Sequence, residues 1–423
     1  MKWLFLTSYL LTFLAGAGLS CLNLAHQKRC SDRIPPEFSG KLDKTLLQRS
    51  LAYSSAKIRL SLIRTAIKTV LLTLFVFGPW LVLYDRWTRE LSDSFILHGV
   101  FFFLGLVLVD FLLAIPFNLF RTFVLEARYG FNTATIGLWW VDRLKMATLG
   151  LVLFAILAAG SLWLVQASPA HWWLWVWLFT LIFSLCVMVL SPHVIEPLFH
   201  RFEPVNRPEL EQRIKGLAEK AGIRTGRVFQ VDASQRSRHA NAFFSGFGPQ
   251  KRIVLFDTLL QQLEPGEIMA VLAHEMGHWR HRHLRKHLLF AAAFSLAATW
   301  LGFQLLMRGN LPGLVGLNHA SFPAQVLILS LLATIAGFPF TPLANWLSRR
   351  HEWQADRFAA RLTEEPGFLG EALIKLARNG LANVCPHPWY AWFYYSHPPL
   401  VDRIRALQAS GQVDRCRPDS GLE

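Results

Sequence analysis

Charge is scarce in this chain. Of its 423 residues, 17% are Asp, Glu, Lys or Arg, where a soluble domain carries about 25%. Acidic residues are the rarer kind, 28 against 43 basic ones, which leaves a formal charge of +15. Cysteine is also scarce: Cys21, Cys30, Cys186, Cys385 and Cys416 are scattered, and none forms a CxxC pair. That excludes a disulfide-stapled mini-protein, a thiolate zinc ribbon and a redox dithiol. The odd count predicts free, structural thiols. Internal repeats and low-complexity stretches are absent, so a solenoid or a linker-rich chain is excluded. What the chain has in excess is apolar surface, at 53% of residues, which excludes disorder. A chain both apolar and basic is either a membrane protein or a nucleic-acid binder with an apolar core.

A membrane helix needs about 20 mostly apolar residues. Seven stretches meet that length: 3–23, 65–84, 95–120, 146–165, 172–191, 288–307 and 322–342. Trp80, Trp172, Trp173 and Trp300 mark several ends, as expected at a membrane interface. Gly337, Pro339 and Pro342 interrupt the seventh. The basic residues sort by loop. The first, third and fifth loops and the tail are rich in Arg and Lys, and the even loops are poor. By the positive-inside rule the N-terminus lies outside and the tail in the cytoplasm, which suits seven crossings. The same sorting argues against a nucleic-acid partner, whose basic contacts should form one patch. The first segment, with Lys2 and Ala15-Gly16-Ala17, also has the form of a cleavable signal peptide. The basic residues downstream of it favour an uncleaved anchor. Asp110 is an acid within the third segment, and lines a cavity or bonds a neighbouring helix.

The organisation expected is a membrane region at 1–191, a globular part at 192–287, two further membrane helices at 288–344 and a second globular part at 345–423. In 192–287, Asn206 and Pro208 open a helix over 209–221. The stretches 226–231, 240–247 and 252–256 read as strands, with a turn at Gly246-Phe247-Gly248-Pro249. A helix follows over 265–283, and the tail beyond Arg405 reads as polar and frayed.

That helix carries His274-Glu275-Met276-Gly277-His278. Histidines at i and i+4 share one helical face, so both imidazoles can reach one metal ion. Glu275 beside them can take a proton from water at that ion. The apolar run 268–273 leads in, and a buried helix needs a reason for two His and a Glu. Zinc then needs a third protein ligand. His281 and His283 are near, but 280–287 reads as a solvated basic helix end. Glu352 and Asp356, again at i and i+4, can supply a ligand and an acid that orients a ligating His. Spacing alone leaves them open between that role and a charged surface helix.

Together these motifs resemble the type I CAAX prenyl endopeptidases, integral-membrane zinc metalloproteases. The resemblance runs along most of the chain. It includes Glu126-Ala127-Arg128-Tyr129-Gly130-Phe131-Asn132-Thr133 and Ser237-Arg238-His239-Ala240-Asn241-Ala242-Phe243-Phe244. It continues through 252–259, Ser348-Arg349 ahead of Glu352, and Tyr395-Ser396-His397-Pro398-Pro399-Leu400 with Arg403. The resemblance implies one zinc ion on His274, His278 and Glu352, with Glu275 as general base. It also implies Asp356 behind the ligands, His397 at the oxyanion with Arg403 near it, and Asn241 and Ala242 on an edge strand that pairs with substrate. The implied fold is mainly α. Seven transmembrane helices enclose a chamber, closed on the cytoplasmic side by a zincin-like α+β domain. Its partners would be the bilayer and a peptide substrate with a prenylated C-terminus. A quality-control protease acting on non-prenylated chains is the alternative, and a transporter or channel with a vestigial metal site a more distant one. The C-terminal residues carry no dilysine or KDEL-type signal, which favours a bacterial inner membrane over the endoplasmic reticulum.

Overall fold

The computed structural model describes residues 1–245 and 251–415. Helices α1 (Lys2–Arg29), α2 (Lys44–Phe77), α3 (Trp80–Glu90), α4 (Phe95–Leu119), α5 (Ile136–Ala167) and α6 (Trp172–Leu190) come first. Asp43 caps α2 by accepting the Leu46 N–H at 2.6 Å. The 34 residues of α2 span about 51 Å at ~1.5 Å each, longer than the roughly 30 Å apolar core of a bilayer. The sequence suggested one segment over 65–84. Instead α2 ends at Gly78, which is extended ahead of Pro79, and α3 restarts beyond it. A residue before proline is pushed out of the helical region, which accounts for the break. Beyond α4 the chain winds a π-helical turn, Phe120–Glu126, that presents Glu126 to Tyr53.

The globular part is threaded next: α7 (Glu196–Phe199), β1 (Phe202–Pro204), α8 (Pro208–Lys220), β2 (Thr225–Val231), β3 (Ala242–Ser245), β4 (Lys251–Phe256), α9 (Asp257–Gln262) and α10 (Pro265–Arg280). The sheet order is β1-β2-β4-β3, with β2 and β4 parallel and the outer pairs antiparallel. β3 therefore has a free edge. The sequence missed β1, whose three residues are too short to show a period. The turn expected at 246–249 lies outside the described residues. Pro208 is the first residue of α8, so Arg207 rather than Asn206 is its N-cap. α10 ends sooner than 283, because Arg282 adopts a left-handed φ of 56° and His283 begins a new helix. His283 is also buried, not part of a solvated end.

The chain then crosses back through α11 (His283–Met307), α12 (Leu311–Leu314) and α13 (Phe322–Gly337), and continues in α14 (Thr341–Thr363), α15 (Pro366–Asn379), α16 (Pro388–Tyr394) and α17 (Leu400–Arg415). The expected interruption at 337–342 is a single 3-10 turn, Phe338–Phe340. Each proline sits in the first turn of its element, where a missing N–H costs little. The membrane span thus runs into the helix that bears Glu352. The tail beyond Arg405 is helical to Arg415, and Arg405 pairs with Glu37 at 2.7 Å. Residues 416–423 lie outside the described part.

Among the described residues, seven helices, or helices run together, are long and apolar enough to cross a membrane. In each, 17% or less of the apolar window is buried within the protein, although Phe102, Leu162, Trp172 and Ile328 are among those that pack inward. The main core lies elsewhere, where Ile214, Leu255, Ile268, Leu272 and Met276 meet α14, α15 and α17.

One expectation changes, and one open alternative gains a contact. Cys30 and Cys385 are bonded to each other, while Cys21 and Cys186 are free and exposed. A pair separated by 355 residues leaves no local spacing to read. Asp110 forms an ion pair with Lys68 at 2.6 Å, which joins α4 to α2. That is the helix-to-helix alternative.

Candidate active site

The site begins with how α10 is held. Its N-terminus carries a capping box between Glu264 and Glu267. Glu267 is buried and is neutralised by Lys375 of α15 at 2.8 Å. The helix then passes so close to α14 that Gly277 faces Ala355. A Cβ on Gly277 would lie 2.9 Å from the Ala355 Cα. This contact between backbones brings the face of α10 with His274 and His278 against the face of α14 with Glu352.

The donor atoms converge there. His274 Nε2 lies 3.2 Å from His278 Nε2 and 3.5 Å from Glu352 Oε2. His278 Nε2 is 3.2 Å from Glu352 Oε1. One donor atom from each residue falls within 4.8 Å of the others. Glu352 is buried, yet its Oε2 lacks a hydrogen bond. A buried carboxylate oxygen without one is costly, and a cation shared with the two imidazoles removes that cost. Two nitrogens and one carboxylate oxygen also match the donor set of catalytic metal sites. The residues present therefore fit a metal ion.

Both imidazoles are oriented from behind. Asp356 Oδ1 accepts from His274 Nδ1 at 2.8 Å, which turns Nε2 toward Glu352. Arg403 clamps Asp356 with two hydrogen bonds of 2.8 and 2.6 Å. His278 Nδ1 meets His283 Nδ1 at 3.0 Å, and His283 Nε2 meets Gln354 Oε1 at 2.9 Å. Gln354 Oε1 can only accept. The chain of donors therefore assigns the proton of His278 to Nδ1, again leaving its Nε2 free. The sequence reads His283 as part of a solvated basic end rather than as a third ligand, and it does not mark Gln354. A buried histidine just past the motif was the available signal.

Burial works against a proton on His274, but the Asp356 and Glu352 carboxylates beside it outweigh this and raise its pKa to about 9. A metal would displace that proton from Nε2. Burial also pushes the Glu275 carboxyl up. His397 Nε2 stands 3.5 Å from Glu352 Oε1 on the open side, and desolvation lowers its pKa. Arg403 is not on that open side. It is buried behind His274, 3.5 Å from Nδ1. Asn241 and Ala242 lie at the start of β3, and the Asn241 carbonyl accepts from Phe256 of β4. A cavity of about 650 Å³ opens between the membrane helices and this domain. Polar groups line it, among them Asn23, Lys57, Asn118, Arg121 and His239.

Residues 23–201 match the family model described as CAAX prenyl protease N-terminal, five membrane helices. Residues 204–410 match the model of peptidase family M48. The CAAX prenyl protease 1 homolog of Oryza sativa subsp. japonica is 33% identical over 89% of this chain and 90% of its own length. CAAX prenyl protease 1 of Saccharomyces cerevisiae is 30% identical over 90% of each chain. The crystal structure of S. mikatae Ste24p superposes with a TM-score of 0.88 at 27% identity, covering 96% of this chain and 98% of that one. With seven membrane-length helices and a His-His-Glu donor cluster, this chain belongs to the CAAX prenyl proteases of peptidase family M48 and is a multi-pass membrane metalloprotease.

Proposed function

We propose that the protein is a zinc-dependent endopeptidase that cuts extended peptide segments near prenylated, CAAX-type C-termini. The observation that carries this reading is the convergence of His274, His278 and the unsatisfied Glu352 oxygen. These three residues would hold one zinc ion. When bound, the ion supplies Lewis acidity that activates water and polarises a carbonyl. The chain's own residues do the rest. Glu275 takes the proton of the attacking water and passes it to the leaving amine. Its raised pKa makes it the stronger base. His397 donates an N–H to the developing oxyanion. Asp356 fixes His274 and is itself fixed by Arg403, which acts as a positioning residue rather than a substrate contact. The outer edge of β3 offers the backbone groups of Phe244 and the Ala242 carbonyl to an extended peptide, while the Ala242 N–H is taken by Asn241 Oδ1 at 2.9 Å.

The basic first, third and fifth loops support a cytoplasmic site. The test is cleavage of a farnesylated peptide and its unmodified twin by purified protein, before and after chelation. Preference for the farnesylated peptide, lost on chelation and restored by zinc, is expected. Equal cleavage of both would remove prenylation from the account, and cleavage that survives chelation would remove the metal.

A further inference from the structure

A second donor cluster lies at the end of α1. His26 Nε2 is 3.5 Å from Cys30 Sγ and 3.6 Å from Cys385 Sγ. One donor atom from each of the three residues lies within 4.8 Å of the others. The geometry is chelating. His26 and Cys30 are one turn apart on one face of α1, and Cys385 arrives from the loop ahead of α16. That loop is held in place without the sulfurs. The Oδ1 of buried Asn23 accepts the His387 N–H at 2.8 Å. On its other side Gln27 bonds Ser54 and Ser55 of α2 at 3.0 and 2.8 Å. The cluster is therefore preorganised by its surroundings. His387 stands edge-on to His26, 5.3 Å between ring centres. Its Nδ1 already accepts the Trp389 N–H at 3.2 Å, and the ring borders the cluster.

One imidazole nitrogen and two sulfurs form the soft donor set that zinc takes in preference to magnesium or calcium. We propose that His26, Cys30 and Cys385 form a second metal site, for zinc, which takes the place of the Cys30–Cys385 bond when that pair is reduced. The site clamps α1 to the C-terminal part of the protease domain. A phosphine reductant balances the first step: the S–S bond breaks, water supplies its oxygen to phosphorus and its two hydrogens to the sulfurs, giving two thiols and a phosphine oxide. Zinc then displaces the two thiol protons, and the thiolate charges neutralise the dication.

The site is distinguishable from the one at His274, which has no sulfur donor. Full-length protein in detergent is reduced with a phosphine and loaded with cobalt(II) as a spectroscopic substitute, or with zinc for metal counting. The expected result is a near-ultraviolet thiolate-to-cobalt band and one zinc more per reduced chain than per oxidised chain. The band disappears in Cys30→Ser and in Cys385→Ser and persists in His274→Ala. A reduced wild-type protein with no thiolate band, or the same zinc content as the oxidised one, would overturn the proposal. The wild-type comparison stands even where a variant does not fold. His274→Ala separates a failure here from a failure of the protease reading.

Discussion

Replacing Gly277 with alanine should weaken metal binding, although alanine is the better helix former. The added Cβ would meet the Ala355 Cα at 2.9 Å, its carbonyl oxygen at 3.1 Å and its Cβ at 3.3 Å. Two of these are backbone atoms of α14, which no side-chain rotation can move. Overpacking of this kind costs about 1–3 kcal/mol, and the helix propensity of alanine returns about 1 kcal/mol. A net loss of up to about 2 kcal/mol remains. If α10 and α14 separate to relieve the clash, Glu352 moves from His274 and His278, and the loss falls on metal affinity. At ~1.4 kcal/mol per decade the upper end corresponds to a roughly 30-fold weaker affinity. Competition against a chelator of known affinity reads this directly. Gly216 on α8 is the control, since a Cβ there meets nothing within 4 Å. Gly216→Ala should raise thermal stability and leave metal affinity unchanged. If Gly277→Ala behaved like Gly216→Ala, close approach of the two helices would not be what assembles the site.

Asp356→Asn keeps the shape but removes the charge that orients His274, and should lower metal affinity about 10- to 100-fold by the same competition assay. His283→Phe removes the partner of His278 Nδ1 and should also weaken binding. Restoration of affinity by His283→Gln would mark it as a positioning residue. Phe244→Pro removes an N–H from the free edge of β3. It should raise KM for an extended peptide while the metal content stays that of the wild type.

How far these residues could be read from sequence depended on whether the contact was local. His274 and His278 lie one turn apart, so the helical period alone placed them together. Glu352 and Asp356 share the same spacing, but nothing in a linear chain states which helix they face. The close pass at Gly277 and Ala355 supplies that link, and it is a property of two backbones. Arg403 was expected near the substrate because of its place after His397. It lies behind His274 because α17 turns its first residues toward α14, where Asp356 takes the guanidinium. The membrane spans were legible from composition. Their joints were not, because a proline in a first turn lets a span continue into α14, whereas Gly78-Pro79 ends α2. The bond between Cys30 and Cys385 and the contact of His278 with His283 and Gln354 join distant or unmarked residues, and no period announces them.

The central claim is that Glu275 acts as the base beside a metal held by His274, His278 and Glu352. Glu275→Gln tests it with one measurement, the rate of peptide cleavage by protein whose zinc content has been determined. The account predicts wild-type zinc content and a rate lower by about 10²- to 10⁴-fold, the usual contribution of a general base. A zinc-loaded Glu275→Gln protein that cuts the peptide at the wild-type rate would contradict it.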